Sequence, residues 1–203
     1  MILVVTAVEA ERDAVRRGVP AGAPVEVVAV GVGVAAAAAG TAYLLADPAR
    51  VFTTVVCTGV AGGLVTRIDV GATAVATRSV AADLGADGPD GFLPLDELGF
   101  GATSLPTTAL GLPGAVRGAI LTVSTVTGTA ARAGDLAARY PDAVAEGMEG
   151  FGVATACALA GVPFAEVRTV SNAVGPRDRA SWRMREALEA LAPVGEFLAT
   201  LEA

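Results

Sequence analysis

The sequence predicts an α/β fold, a sandwich of helices around a mainly parallel sheet, and three observations carry that prediction. Short apolar, β-branched runs alternate with helix-compatible segments from one end of the chain to the other, the order expected of a sheet covered on both faces. Several of these runs end in glycine just before the next helix begins, as strand-to-helix turns require. Of the 203 residues, 53% are hydrophobic but only 4% aromatic, so the apolar content is mostly Ala, Val and Leu, which close-pack without large side chains.

Taken in order, residues 2–8 (ILVVTAV) form a continuous apolar run, the mark of a buried strand, and EAERDAVRRG reads as a helix stopped by Gly18. Residues 24–33 are strand-like and break at Gly31 and Gly33, and residues 34–47 make a helix that ends before Pro48. Residues 51–64 repeat the arrangement, a β-branched strand with the glycine-rich end CTGVAGGL. Strands follow at 71–85 and 118–128, a helix at 130–141 stopped by Pro141, and a second helix at 147–161. Residues 164–174 are a strand and 179–201 a terminal helix. Residues 83–113 are turn-rich and read as a long excursion, with room for hairpins, so the whole chain, 1–203, is expected to be a single domain.

Composition excludes several functions. The formal charge is −7 with no run of Lys or Arg, which disfavours nucleic acid as a partner. There is no histidine, so acid–base work falls to Asp, Glu or a less usual group, and no His-based metal site exists. VGVGVAAAAAG lacks the spacing of a dinucleotide fingerprint, and GVAGG lacks the Lys and Ser/Thr of a phosphate-binding loop. No metal or redox cofactor is expected. Ser124 and Ser171 have no histidine to activate them and no nucleophile-elbow context. Charges come too early for a signal peptide, no apolar run is long enough to span a bilayer, and Cys57 and Cys157 both sit in apolar runs. These features favour the cytoplasm and no membrane partner.

Four residues resist a purely structural reading. Glu11 belongs to an acidic first helical turn, which alone explains it; a carboxylate at the end of a central strand is also placed to take a proton from water. Glu149 lies in GMEGFGVATACALAG, where an unpaired carboxylate is costly; it either caps a helix or accepts hydrogen bonds from a polyhydroxylated ligand, with Met148 beside it as polarizable apolar surface. Asn172 either makes a turn before GPRD or offers an amide to a heterocycle edge.

At these residues the chain resembles the purine nucleoside phosphorylase and nucleosidase superfamily, most closely its futalosine hydrolases, which serve an alternative route to menaquinone. The resemblance runs over nearly the full length. It implies a three-layer sandwich with a central mixed, twisted sheet. It further implies that Glu11 in TAVEAE activates water, that the glycine segments VGVG and CTGVAGGL (with Gly62) surround the ligand, and that Met148 and Glu149 in EGMEGFGVA hold the ribose. Asn172 in VRTVSNAVGPRD stands where adenine-cleaving members carry Asp. An amide can donate to N7 or O6 of a 6-oxopurine but cannot protonate adenine N7 as an acid does, which favours hypoxanthine as the leaving group. Futalosine also carries an aromatic carboxylate; Arg177 or Arg179 are the candidate anchors, although Arg177 could instead pair with Asp178, and Phe151, Phe92 and Phe100 are candidate apolar walls. Phosphorolysis and methylthioadenosine/adenosylhomocysteine nucleosidase activity are the alternative reactions, and a non-catalytic nucleoside-binding protein the alternative class. The resemblance also implies a homodimer or a dimer-based assembly.

Overall fold

The structure, a computed structural model, describes residues 1–89 and 91–201. Its centre is an eight-stranded mixed sheet built from β1 (Ile2–Thr6), β2 (Val25–Ala29), β3 (Thr54–Gly63), β4 (Thr73–Ala81), β7 (Ser104–Pro106), β8 (Val116–Thr122), β9 (Ala143–Gly147) and β10 (Phe164–Ala173). Side chains alternate across it as the pleat demands. Ile2 and Val4 of β1 face a core with Ala14, Val15, Leu191 and Leu198, while Leu3 and Val5 face another with Ala37, Val153 and Cys157. The first core is covered by α1 (Glu9–Arg16), α5 (Met184–Glu189) and α6 (Leu191–Ala199), the second by α2 (Val34–Leu45) and α4 (Gly150–Ala160). The fold is thus α/β with a central mixed sheet between helical layers. A further helix, α3 (Ala130–Arg139), seats Leu136 among Ala119, Leu121 and Ala143. Among the described residues no helix is long and apolar enough to cross a membrane.

The sheet does not stay open. β3 is ten residues long and pairs with β10 along one edge over nearly its whole length. On its other edge it pairs with β1 through Thr54–Cys57, then with β9 at Gly62 and Gly63. Because β10 also pairs with β4, and β4 with β8 and β8 with β9, these five strands form a closed ring with β1 and β2 as a flap. Between its two partners on that edge, Thr58–Ala61 of β3 faces no strand. That gap positions the site, since ligands in α/β sheets gather where neighbouring strands part.

Differences from the sequence reading have local causes. β9 was hidden inside the Ala-rich stretch after Pro141, too short to show a period of two. The excursion at 83–113 holds a hairpin, β5 (Gly85–Gly88) with β6 (Gly91–Pro94), and the edge strand β7. The terminal segment is not one helix: a turn of 3-10 helix (Arg179–Ser181) precedes α5, and the chain re-initiates at Leu191. Pro193 falls in the first turn of α6, where its missing N–H removes no intrahelical bond.

Candidate active site

The glycine-rich strand ends meet at one cleft of about 260 Å³, lined among others by Glu11, Val60, Gly62, Thr127, Glu146, Met148, Glu149, Asn172 and Trp182. Five of the residues singled out in the sequence, Glu11, Gly62, Met148, Glu149 and Asn172, are therefore brought together.

Glu11 is the third residue of α1 and reaches back over the helix start. Its Oε2 accepts from the backbone N–H of Ala7 (3.0 Å) and Val8 (3.3 Å), half of a capping box. Its Oε1 accepts from Val60 N–H at 2.9 Å, the donor left unpaired by the gap in β3. Gly59 makes this approach possible, since a Cβ there would lie 2.6 Å from Oε1. The capping role and the site role are thus both real, and they divide between the two oxygens. A carboxylate offers about four acceptor positions, so three bonds leave one, on Oε1. Burial pushes the Glu11 carboxyl above its ordinary value, opposed by the Val60 hydrogen bond and the Arg168 charge. It is a stronger base than a free glutamate.

Glu149 stands at the N-cap of α4 without bonding that helix. Its Oε1 instead accepts from Gly33 N–H (3.2 Å), and its Oε2 from Met148 N–H (3.3 Å) and Arg168 Nη1 (3.2 Å). Gly33 ends the β2–α2 turn at φ +88°, a left-handed conformation that aims its N–H across the cleft. By the same accounting one acceptor position remains free on Oε1, enough for one ligand hydroxyl. Helix capping is therefore not what holds Glu149 in place.

Arg168, which sequence reasoning missed, organises the floor. It is 1% exposed and donates to Glu166 Oε1 (3.0 Å), Glu149 Oε2 (3.2 Å) and Cys57 Sγ (3.3 Å). Burial acts to lower its pKa, but the surrounding acidic groups outweigh it and hold the value well above the ordinary one, so it stays charged. Burial raises the Glu166 carboxyl against the pull of Arg168. Gly150 leaves room for this cluster, since a Cβ there would overlap the Glu166 carboxylate. The signal was present in FAEVRTVS: acid and base two residues apart in an apolar strand share one face. Glu146 was also missed. Its carboxylate takes Thr127 N–H (2.9 Å) and Thr127 Oγ1 (2.5 Å), tying the 123–129 loop to β9, and burial raises its pKa.

Asn172 follows a bulge in β10, where the register to β3 slips between Val170 and Asn172 and turns the amide toward Gly62. Ser171 Oγ donates to its Oδ1 (2.8 Å), and its Nδ2 donates to Ala173 O (2.9 Å), leaving one amide hydrogen for a ligand. No turn with GPRD is made. Two other expectations are corrected in position. Phe151 lines a neighbouring cavity of about 280 Å³ with Val34, Ala38 and Thr155, because its place in the first turn of α4 points it away from the cleft. Arg177 does not line the cleft or pair with Asp178, whose carboxylate accepts from Ala180 N–H at 3.1 Å; its guanidinium stands over Trp182 instead. Cys57 and Cys157 are buried, free thiols.

A family profile described as the phosphorylase superfamily matches residues 6–201. The chain belongs to the phosphorylase superfamily. Among its relatives in that superfamily, a futalosine hydrolase of Streptomyces coelicolor is 49% identical, the match covering 99% of this chain and 96% of the relative. A futalosine hydrolase of Acidothermus cellulolyticus is 46% identical over 93% of this chain and 86% of that one. The fold is shared with a solved structure. The crystal structure of an S-adenosylhomocysteine nucleosidase from Streptococcus pyogenes superposes with a TM-score of 0.82 at 19% identity, covering 100% of this chain and 97% of that one.

Proposed function

We infer that this phosphorylase-superfamily chain is a futalosine hydrolase, cleaving the N-glycosidic bond of futalosine to release hypoxanthine and dehypoxanthine futalosine. The observation that carries the reading is near-full-length identity of 49% to a futalosine hydrolase, in a chain whose cleft gathers Glu11, Glu149 and Asn172.

The chemistry follows from the residues. The C1′–N9 bond breaks as positive charge develops on the sugar, and the cleft opposes that charge with three carboxylates, Glu11, Glu146 and Glu149. Glu11, fixed by three backbone donors and raised in basicity by burial, takes the proton of a water attacking the anomeric carbon through its free Oε1 position. Glu149 accepts from one ribose hydroxyl, held rigid by Arg168 and Gly33, while Met148 packs against the sugar. The remaining Asn172 amide hydrogen donates to the departing 6-oxopurine as negative charge grows on it; the purine anion then takes a proton from solvent to become hypoxanthine, and Glu11 returns the one it took.

Hydrolysis is favoured over phosphorolysis by the same geometry. Among the described residues no arginine lines the cleft. Arg168 is committed to carboxylates, Arg12 pairs with Glu9 and Asp13, Arg16 bonds Val27 O, and Arg50 pairs with Glu26 and Asp47. A phosphate dianion beside the sugar would meet acids instead of cations.

The reading extends to one domain over 1–203, working in the cytoplasm, where the free buried thiols Cys57 and Cys157 suit reducing conditions. It also extends to a homodimer or dimer-based assembly, supported by Tyr43 of α2 and Leu159 of α4, exposed at 82% and 84% on one helical layer. The purified protein offered futalosine, inosine and methylthioadenosine should turn over futalosine best and release hypoxanthine. Preferential adenine release from methylthioadenosine would overturn the assignment of Asn172, and a monomer at all concentrations in sedimentation would overturn the assembly.

A further inference from the structure

Most arginines of this protein are engaged. Of the 14 basic residues, all Arg, only Arg17, Arg177, Arg179 and Arg183 make no side-chain hydrogen bond or ion pair among the described residues. Three of those four fall in one short segment at the rim of the cleft, in a chain of net charge −7. The segment is held at both ends, by Val174 N–H to Gly63 O and Arg183 N–H to Ser171 O, each 2.8 Å. Within it, Trp182 is half-buried and lines the cleft. The guanidinium carbons of Arg177 and Arg179 lie 5.7 Å and 5.8 Å from its ring centroid, within cation–π range. The stem of Arg177 packs over Gly128, next to the cleft-lining Thr127. Asp178 forms no ion pair with either cation among the described residues; its Oδ1 accepts from Ala180 N–H at 3.1 Å.

We propose that Trp182 with Arg177 and Arg179 is the specificity element of the cleft, a rim site for an aromatic ring carrying a carboxylate on the far end of the nucleoside. The charges are segregated to suit such a molecule. The three carboxylates in the cleft disfavour an anion inside it, whereas Arg177 and Arg179 stand at its mouth beside Trp182. An indole face stacks an aromatic ring, and planar guanidiniums meet a carboxylate in two-point geometry. The proposal rests on the hydrolase reading of the cleft, which supplies the nucleoside end of the ligand, and it names what selects the other end.

The single tryptophan of the chain makes the rim directly observable. Trp182 fluorescence is titrated with benzoate, with acetate and with benzyl alcohol, in the wild type and in the Arg177→Ala/Arg179→Ala variant. Both arginines are exposed, and thermal melts confirm that the variant is folded. Benzoate is expected to give a saturable change that neither acetate nor benzyl alcohol reproduces, weakened in the variant by roughly tenfold or more, the size of one lost charge-assisted contact. No saturable change, an equal response to the neutral ring, or an unaltered variant overturns the proposal, whatever the enzyme turns out to hydrolyse. In parallel, kcat/KM for futalosine relative to inosine is expected to fall by a similar factor in the variant, through KM. Equal losses on both substrates overturn it as a specificity element, whereas absence of hydrolysis of any nucleoside by the wild type counts against the cleft chemistry and leaves the fluorescence titration to judge the rim.

Discussion

Replacing Arg168 with methionine should be among the most damaging single changes in this chain. The guanidinium is 1% exposed and is shared by Glu149, Glu166 and Cys57. Methionine fills much of the volume, so the loss is electrostatic: two buried carboxylates remain with no cation between them. Removing one partner of a buried pair costs about 3–5 kcal/mol. In a chain of this length each kcal/mol moves Tm by about 2–4 °C, so a drop on the order of 10 °C is expected. The loss should depend on pH with a definite sign. Burial already holds the Glu166 carboxyl above its ordinary value, and removing Arg168 removes a positive charge that opposes this. A carboxylate whose folded pKa is raised contributes stability at low pH that is lost as pH rises through that pKa. The variant's deficit should therefore be largest near neutrality and shrink toward pH 5. Paired thermal melts of wild type and R168M across that range test this. A melting point unchanged at neutral pH, or a deficit constant with pH, would show that Arg168 does not neutralise these acids.

Four further outcomes follow from the site. Glu11→Gln should lower kcat by about 10²- to 10⁴-fold, the usual worth of a general base, and should cost about 1–3 kcal/mol of stability because an amide NH2 must face one of three backbone donors; near-normal turnover in a folded variant removes Glu11 from the chemistry. The acid limb of kcat/KM should lie above the ordinary carboxyl value of 4.5, because Glu11 acts only when ionised and burial raises its pKa; a limb at or below that value contradicts the assignment. Gly150→Ala should cost about 1–3 kcal/mol in urea unfolding, since its methyl overlaps Glu166, while Phe151→Leu should leave KM for the nucleoside near wild type, because Phe151 faces the neighbouring cavity.

The sequence showed the frame of this site better than its wiring. Alternation of strand and helix was legible because the apolar runs are long and end in glycine; Glu149 and Asn172 were conspicuous because each interrupts such a run, and Glu11 because it follows the end of one. What held them was not. Val60 N–H became available only because β1 and β9 leave a gap along β3, a property of sheet topology that no local pattern encodes. Closure of the ring depends on β9, whose five residues carry too little β-branching to announce a strand. Arg168 and Glu166 did leave a trace, two charges at a spacing of two in a buried strand, which period-two reading of FAEVRTVS would have put on one face. Phe151 was misplaced because sequence proximity to Glu149 says nothing about direction once a helix begins between them.

The central claim is that water, activated by Glu11, is the nucleophile. The measurement closest to it is hypoxanthine release from futalosine by the purified protein in phosphate-free buffer, repeated with phosphate added and with identification of the sugar product. The account predicts release at full rate without phosphate, no increase on its addition, and dehypoxanthine futalosine as the only sugar product. Release that requires phosphate and yields a sugar 1-phosphate would contradict it.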